Sequence, residues 1–376
     1  MTLRRTRWTW LAPIVLLLGL AVAGASGPVA AQTGENPNVR LPETGAQKWG
    51  EPAVLPSTVL PQPSDPNMWR DIRRGMAGQV SIPNAQAGVM IQSEGDNWRA
   101  WRNGPLSQFG GWLLLAVIIL LAFFMAARGR IRISRGPSDR TIERFNGLER
   151  FTHWLTAICF IELALTGLNL LYGRYILLPV LGPEAFALVT LGGKYVHNYI
   201  GFGFMLGIVM MLVLWVRHNL FDKYDLVWIA KLGGMFSKHS HPPARKFNFG
   251  QKIVFWAVVL GGGSVSFSGI CLMFPFEFAP FGGTFAFLSS IGINISPDVT
   301  PMEEMQLNQI WHAFVALLLI ALIIGHIYIG SIGMEGAFDA MGTGHVDENW
   351  ALDHHAAWVA EVKGKPLPDP VPEGDD

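Results

Sequence analysis

The sequence predicts an all-α membrane protein, and three observations carry that prediction. Half of the 376 residues are hydrophobic and only 15% are charged, a balance found in membrane proteins rather than soluble ones. Five apolar runs, at about 109–127, 151–171, 195–216, 253–274 and 310–332, are each long enough, or nearly so, for a tilted transmembrane helix. Basic residues collect in loops beside those runs. The formal net charge is zero, and no basic patch carries interleaved aromatics, which argues against nucleic acid as a partner. The two cysteines, Cys159 and Cys271, each lie inside an apolar stretch and read as small buried hydrophobes, not as a disulfide. There is no C-x-x-C-H for covalent haem and no cysteine cluster for an iron–sulfur centre, so any electrons the chain carries must arrive from a partner.

In chain order, residues 1–31 read as a signal peptide. Arg4, Arg5 and Arg7 precede an apolar stretch, and small residues offer cleavage after Ala31. An uncleaved signal anchor is the alternative. Residues 32–108 are rich in Pro, Gly, Asn and Gln with no sustained period, and are expected to form a loosely ordered exported extension. Residues 109–128 form the first span, bracketed by Trp98, Trp101 and Trp112 as interfacial aromatics. Arg128 to Arg150 then carries seven arginines, and Arg217 to Lys252 carries seven lysines and arginines. Both connectors are therefore expected on the cytoplasmic side. Between Phe274 and Ile310 there is no Lys or Arg, but there are Glu277, Asp298, Glu303 and Glu304, which places that loop outside. The expected topology is multi-pass, with a periplasmic N-terminal extension, five crossings and a cytoplasmic C-terminus. The tail, 336–376, departs from the charge rule, being acidic with its first lysine at Lys363.

Four histidines fall at matched depths in this topology. His312 and His326 lie fourteen residues apart in the last run, so on a helix they share a face, about 40° apart in angle and about 21 Å apart along the axis. His153 begins the second span at the cytoplasmic side and His197 begins the third at the outer side. Depth therefore pairs His153 with His326, and His197 with His312. Intramembrane ionisable groups are costly and mark functional sites. Two facing imidazoles hold a six-coordinate b-type haem iron, so the set points to two stacked haems that move electrons. Interhelical hydrogen bonding is the alternative for any one such histidine. Gly167, fourteen residues after His153, and Gly201, one turn after His197, sit where a macrocycle would otherwise meet side chains. His218, His239, His241, His345, His354 and His355 are expected to be solvated.

The stretches "ERFTHW", "ICFIELALTG", "KYVHNYIGFGF", "VRHNLFDKYDLVWI" and "KFNFGQKIVFW", with the two-histidine helix, cover about residues 143 to 362. In these the chain resembles the cytochrome b (gamma) subunit of membrane-bound formate dehydrogenase, within a wider group that includes b-type cytochromes of nickel–iron hydrogenases. The resemblance implies a four-helix transmembrane di-haem cytochrome b bundle at 143–335 plus one extra N-terminal transmembrane helix. It implies the same haem ligands, His153, His197, His312 and His326, holding two haem b. It also implies a quinone bound at Asn248, Gly250 and Gln251, although Asn followed three residues later by Gln equally reads as a capping box. The implied partners are an iron–sulfur (beta) subunit and a catalytic molybdenum or tungsten (alpha) subunit on which formate is oxidised. In the bacterial inner membrane this chain would be the electron-transfer and quinone-reducing subunit of anaerobic respiration, with no catalytic residue of its own for formate. A hydrogenase cytochrome and a haem-free membrane anchor are the alternatives. Glu162, an acid in mid-span, departs from the family's apolar pattern and is expected either to pair with the extra helix or to line a proton path.

Overall fold

The computed structural model describes residues 93–235, 240–275, 277–293 and 299–366; the expected signal peptide, and the extension as far as residue 92, lie outside them. Five helices are long and apolar enough to cross a membrane: Trp98–Arg128, Gly147–Ile176, Leu178–His218, Phe249–Met273 and Pro301–Gly333. The first is built from α1 (Ser93–Trp101) and α2 (Ser107–Arg128), joined by a π-helical turn that contains Pro105. Residues 93–108, expected to be loose, are thus helical apart from a kink at Gly104. Their polar composition hid the first turns of a helix whose apolar run begins only at Phe109.

Helix α3 (Gly147–Ile176) starts from a capping box in which Asn146 accepts from the Glu149 N–H and Glu149 accepts from the Asn146 N–H. Only Leu177 separates it from α4 (Leu178–Trp215). Gly182 adopts a left-handed φ of 76° and Pro183 follows. Glycine supplies the positive φ that kinks the chain, and proline is suited to the first turn of the helix that resumes. The fourth span consists of α6 (Phe249–Trp256), a π-helical turn and α7 (Gly262–Met273); before it, α5 (Lys223–Ala230) lies in the second connector. Helix α8 (Gly282–Ser290) follows α7, and α9 (Pro301–Tyr328) begins with a Thr300/Glu303 capping box.

The spans pack through close contacts at small residues. Helices α3 and α4 are antiparallel neighbours, where a Cβ on Gly207 would collide with Thr156 Oγ1 and one on Gly203 would fall 3.0 Å from Cys159 Sγ. Helix α9 contacts α2, α3 and α7, and Gly110 of α2 leaves space for Leu317 of α9, which lies 2.5 Å from where its Cβ would be. Such contacts drive helix association in lipid, which offers no hydrophobic force between helices. The bundle core is Cys159, Phe204, Ile208, Val265, Val315 and Leu319. Large apolar side chains such as Ile118, Leu120, Phe123, Leu165 and Val213 are exposed around the spans, as expected where lipid is the solvent.

A second, larger core lies at the end of the bundle that carries the basic connectors. There Ile133, Phe145, Trp215, Phe247, Phe255, Val346, Trp350 and Trp358 pack together. The tail contributes α10 (Asp339–Gly342), β2 (His345–Asp347) and α11 (Glu348–Lys363). Strand β2 pairs antiparallel with β1 (Thr141–Glu143), with Ile142 opposite Val346. The tail is therefore a folded cap. Two of the histidines expected to be solvated are the reverse: His355 is 0% exposed, and His354, intermediate as a whole residue, keeps a buried ring nitrogen.

Candidate functional site

Three helices bring the four histidines together in the pairs that depth predicts. The rings of His153 (α3) and His326 (α9) lie 6.2 Å apart between centroids, at 57° to each other. Those of His197 (α4) and His312 (α9) lie 6.1 Å apart at 58°. Two metal–nitrogen bonds of about 2 Å with about 1 Å of ring at either end span about 6 Å, so each pair has the separation that one shared iron requires. Among the described residues no group of three or more His, Cys, Asp and Glu side chains could hold a bare metal ion. Two imidazoles suffice only where the remaining ligands come with the metal, as in a porphyrin.

Hydroxyl groups fix the rings of one pair. Thr166 Oγ1 donates to the Glu162 carbonyl at 2.7 Å and lies 2.9 Å from His197 Nδ1. Its single proton is committed to that carbonyl, so Nδ1 is the donor and Nε2 keeps a free lone pair. Ser268 repeats the arrangement, donating to Val265 O at 3.1 Å and accepting from His312 Nδ1 at 3.0 Å. Partners of this kind set the tautomer and direction of metal-binding histidines. At the other pair, His153 Nδ1 is buried with no hydrogen-bond partner among the described residues. Sequence reasoning missed Thr166 and Ser268, which lie on different helices from the rings they hold.

Glycines leave room beside the rings. A Cβ on Gly167 would stand 3.6 Å from His197 Cε1 and one on Gly269 3.5 Å from His312 Cε1, while Gly201, one turn after His197, and Gly325, next to His326, have no other atom within 4 Å of an added Cβ. The donor set, the separations and these gaps fit haem. Glu162, partly buried, makes no side-chain hydrogen bond or ion pair with another described residue, and helix α2 packs on α9 without it.

Asn248 and Gln251 do form the capping box: Asn248 Oδ1 accepts from the Gln251 N–H at 2.9 Å, and Gln251 Oε1 from the Asn248 N–H at 3.1 Å. Both carbonyl oxygens are thereby engaged, while the two amide nitrogens remain as donors. Gly250 lies under Trp228 of α5, whose ring would be 3.0 Å from an added Cβ. Helix α6 packs against α9.

A helical bundle with five candidate membrane spans and two facing-imidazole pairs defines a membrane-bound cytochrome of the b type. Residues 144–344 match the family described as prokaryotic cytochrome b561, and the chain belongs to that family, which implies haem b. Among its relatives is the formate dehydrogenase cytochrome b556(fdo) subunit of Escherichia coli (strain K12), 30% identical over 224 residues that cover 59% of this chain and 94% of that protein. The nitrate-inducible formate dehydrogenase cytochrome b556(Fdn) subunit of the same strain is 25% identical over 227 residues, covering 60% and 93%. The formate dehydrogenase cytochrome b556 subunit of Haemophilus influenzae is 24% identical over 227 residues, covering 60% and 84%.

Proposed function

We propose that this chain is the membrane cytochrome b subunit of a formate dehydrogenase complex, carrying electrons from an iron–sulfur subunit on the periplasmic side to quinone near the cytoplasmic side. The observation that carries the reading is the two facing histidine couples, whose α9 members His312 and His326 lie fourteen residues apart along that helix. Residues 143–335 form the electron-carrying domain, with the helix at 109–128 added to it. His197 and His312 would hold one haem b, and His153 and His326 the other. Haem held by these residues would supply one-electron transfer. Thr166 and Ser268 hold their imidazoles in the tautomer that leaves Nε2 free. At the basic end the Asn248 and Gln251 amide nitrogens donate to a quinone carbonyl, and Gly250 admits the Trp228 ring that walls the site. The relatives' names and the coverage of nearly their whole length support the formate dehydrogenase assignment.

The test is the haem content and reduction of the purified complex. The wild-type complex is expected to hold two haem b per copy of this chain, reduced by formate. His312→Ala should leave about half of the haem and slow formate-driven reduction of the remainder at least 100-fold. A full haem complement in that variant, or an intact complex with no iron–sulfur subunit co-purifying, would remove the reading.

A further inference from the structure

A polar network away from the histidine pairs joins the tail to residues 244–247, the segment that runs directly into Asn248. Three successive carbonyls of this segment are occupied. The Trp358 N–H donates to Ala244 O at 3.1 Å, His355 Nδ1 lies 2.7 Å from Arg245 O, and Arg144 Nη2 donates to Lys246 O at 2.5 Å. Arg144 Nη2 also reaches His355 Nε2 at 3.0 Å. A guanidinium can only donate, so Nε2 is the bare nitrogen and Nδ1 carries the proton given to Arg245 O.

The side chains of the same segment are held as well. Arg245 pairs with Glu361 of α11 at 3.1 Å, Lys246 pairs with Glu149 at 2.5 Å, and Phe247 packs on Phe145 and Trp215 with centroids 5.8 and 5.7 Å away. Arg144, 4% exposed, lies against the rings of Phe145, Trp350 and Trp358 at 5.2–5.3 Å. Nothing in a helix cap requires such anchoring upstream of it: the Asn248/Gln251 box satisfies the helix start by itself.

We propose that Arg144 and His355 are positioning residues for quinone reduction, acting through a clamp in which the tail helix α11 grips residues 244–247 and so sets where Asn248 and Gln251 present their amide donors. The inference rests on the reading of those two residues as the quinone site. Donor groups displaced by about 1 Å lose much of their effect, so releasing two of the three gripped carbonyls is felt at the quinone while the histidine pairs are untouched.

The experiment uses the whole complex with a water-soluble quinone analogue. In His355→Ala the KM for the quinone should rise at least fivefold with kcat within twofold, and formate-driven haem reduction and haem content should not change. Amide hydrogen exchange should quicken at 245–249. His355→Gln, whose amide can donate to Arg245 O and accept from Arg144, should restore KM to within twofold. A KM unchanged in His355→Ala, or a loss of haem in parallel with the rise, would overturn the clamp. Asn248→Ala separates the two readings: if it raises KM and His355→Ala does not, only the clamp fails, and if it leaves KM unchanged, the quinone site and the clamp fail together. Should His355→Ala not accumulate, Glu361→Ala removes only the solvent-side ion pair and must quicken exchange at 245–249; unchanged exchange there counts against the proposal.

Discussion

At the scale of single residues, the histidines at one end are defined as much by the hydroxyls behind them as by their own placement. Replacing Thr166 by Val keeps the shape of the side chain and removes the acceptor for His197 Nδ1. The ring then loses both its fixed direction and its preferred tautomer, and haem affinity should fall about 10–100-fold, measured as haem retained through purification against His197→Ala as the limit. The buried pair His354 and His355 gives a second prediction. Burial and the neighbouring Arg144 hold His355 well below its ordinary value, and burial lowers His354 to about 4, with Asp353 opposing and His241 and Arg144 assisting. Both rings are neutral when folded, so the unfolded state binds more protons below about pH 6.5. Stability of the cap is fully present above that pH and is lost as pH falls toward the depressed values. Protection of the 245–249 amides, taken relative to the base-catalysed intrinsic exchange rate at each pH, should therefore be constant from pH 8 to 7 and lower at pH 5.5; constant protection throughout would show that these rings do not titrate with the fold. The pairing of His153 with His326 and of His197 with His312 was legible in the sequence because topology alone assigns depth. Thr166 and Ser268 were not, since the register of one helix against another is absent from the chain's own pattern. His354 and His355 were misread because they sit in a polar tail, although Trp350, Ala351, Ala357 and Trp358 already trace the apolar face that buries them.

At the scale of elements, the helices begin earlier than their apolar runs, and for one physical reason. Hydrocarbon selects the apolar run, but the helix starts where its first N–H groups are satisfied, in the polar turn before it. The boxes Asn146/Glu149, Asn248/Gln251 and Thr300/Glu303 open α3, α6 and α9, four to nine residues before the apolar runs at 151, 253 and 310. Helix α4 begins seventeen residues before the apolar run at 195, and Gly182 with Pro183 kinks it without ending it. Helix α5 is fastened to α6 by charge. Lys252, buried, reaches Asp222 Oδ2 at 2.8 Å and both Asp225 oxygens at 2.8–2.9 Å. Lys252→Met would strand two carboxylates next to a buried site and should cost about 3–5 kcal/mol, seen as a lower midpoint in thermal unfolding of the complex. Lys252→Met combined with Asp225→Asn should recover part of that loss; no recovery would mean that the lysine acts by packing alone.

At the scale of the whole molecule, the acidic tail that defied the charge rule has a structural account. Its acids answer the two basic connectors: Glu348 pairs with Arg140 at 3.3 Å and Glu361 with Arg245 at 3.1 Å. Asp353 accepts from the Ser134 N–H at 2.8 Å and Asp347 from the Ser138 N–H at 2.6 Å. The tail is therefore bound to the same end of the bundle as both connectors, and its negative charge is spent locally, leaving the lysines and arginines of the connectors to set orientation. That fixes a sharp expectation for the membrane. A fluorescent reporter fused after residue 366 should fold on the cytoplasmic side, and a secreted phosphatase inserted after Gly292 should be active on the periplasmic side. The opposite pattern would place the basic end, with Asn248 and Gln251, outside. The distinction matters energetically, because an electron moved inward across the full bilayer works against about 2.3 kcal/mol per 100 mV. On the proposed relay, only with the basic end inside would electrons passing from the His197–His312 couple to the His153–His326 couple charge the membrane in the direction that conserves energy; inverted, the same flow would dissipate it.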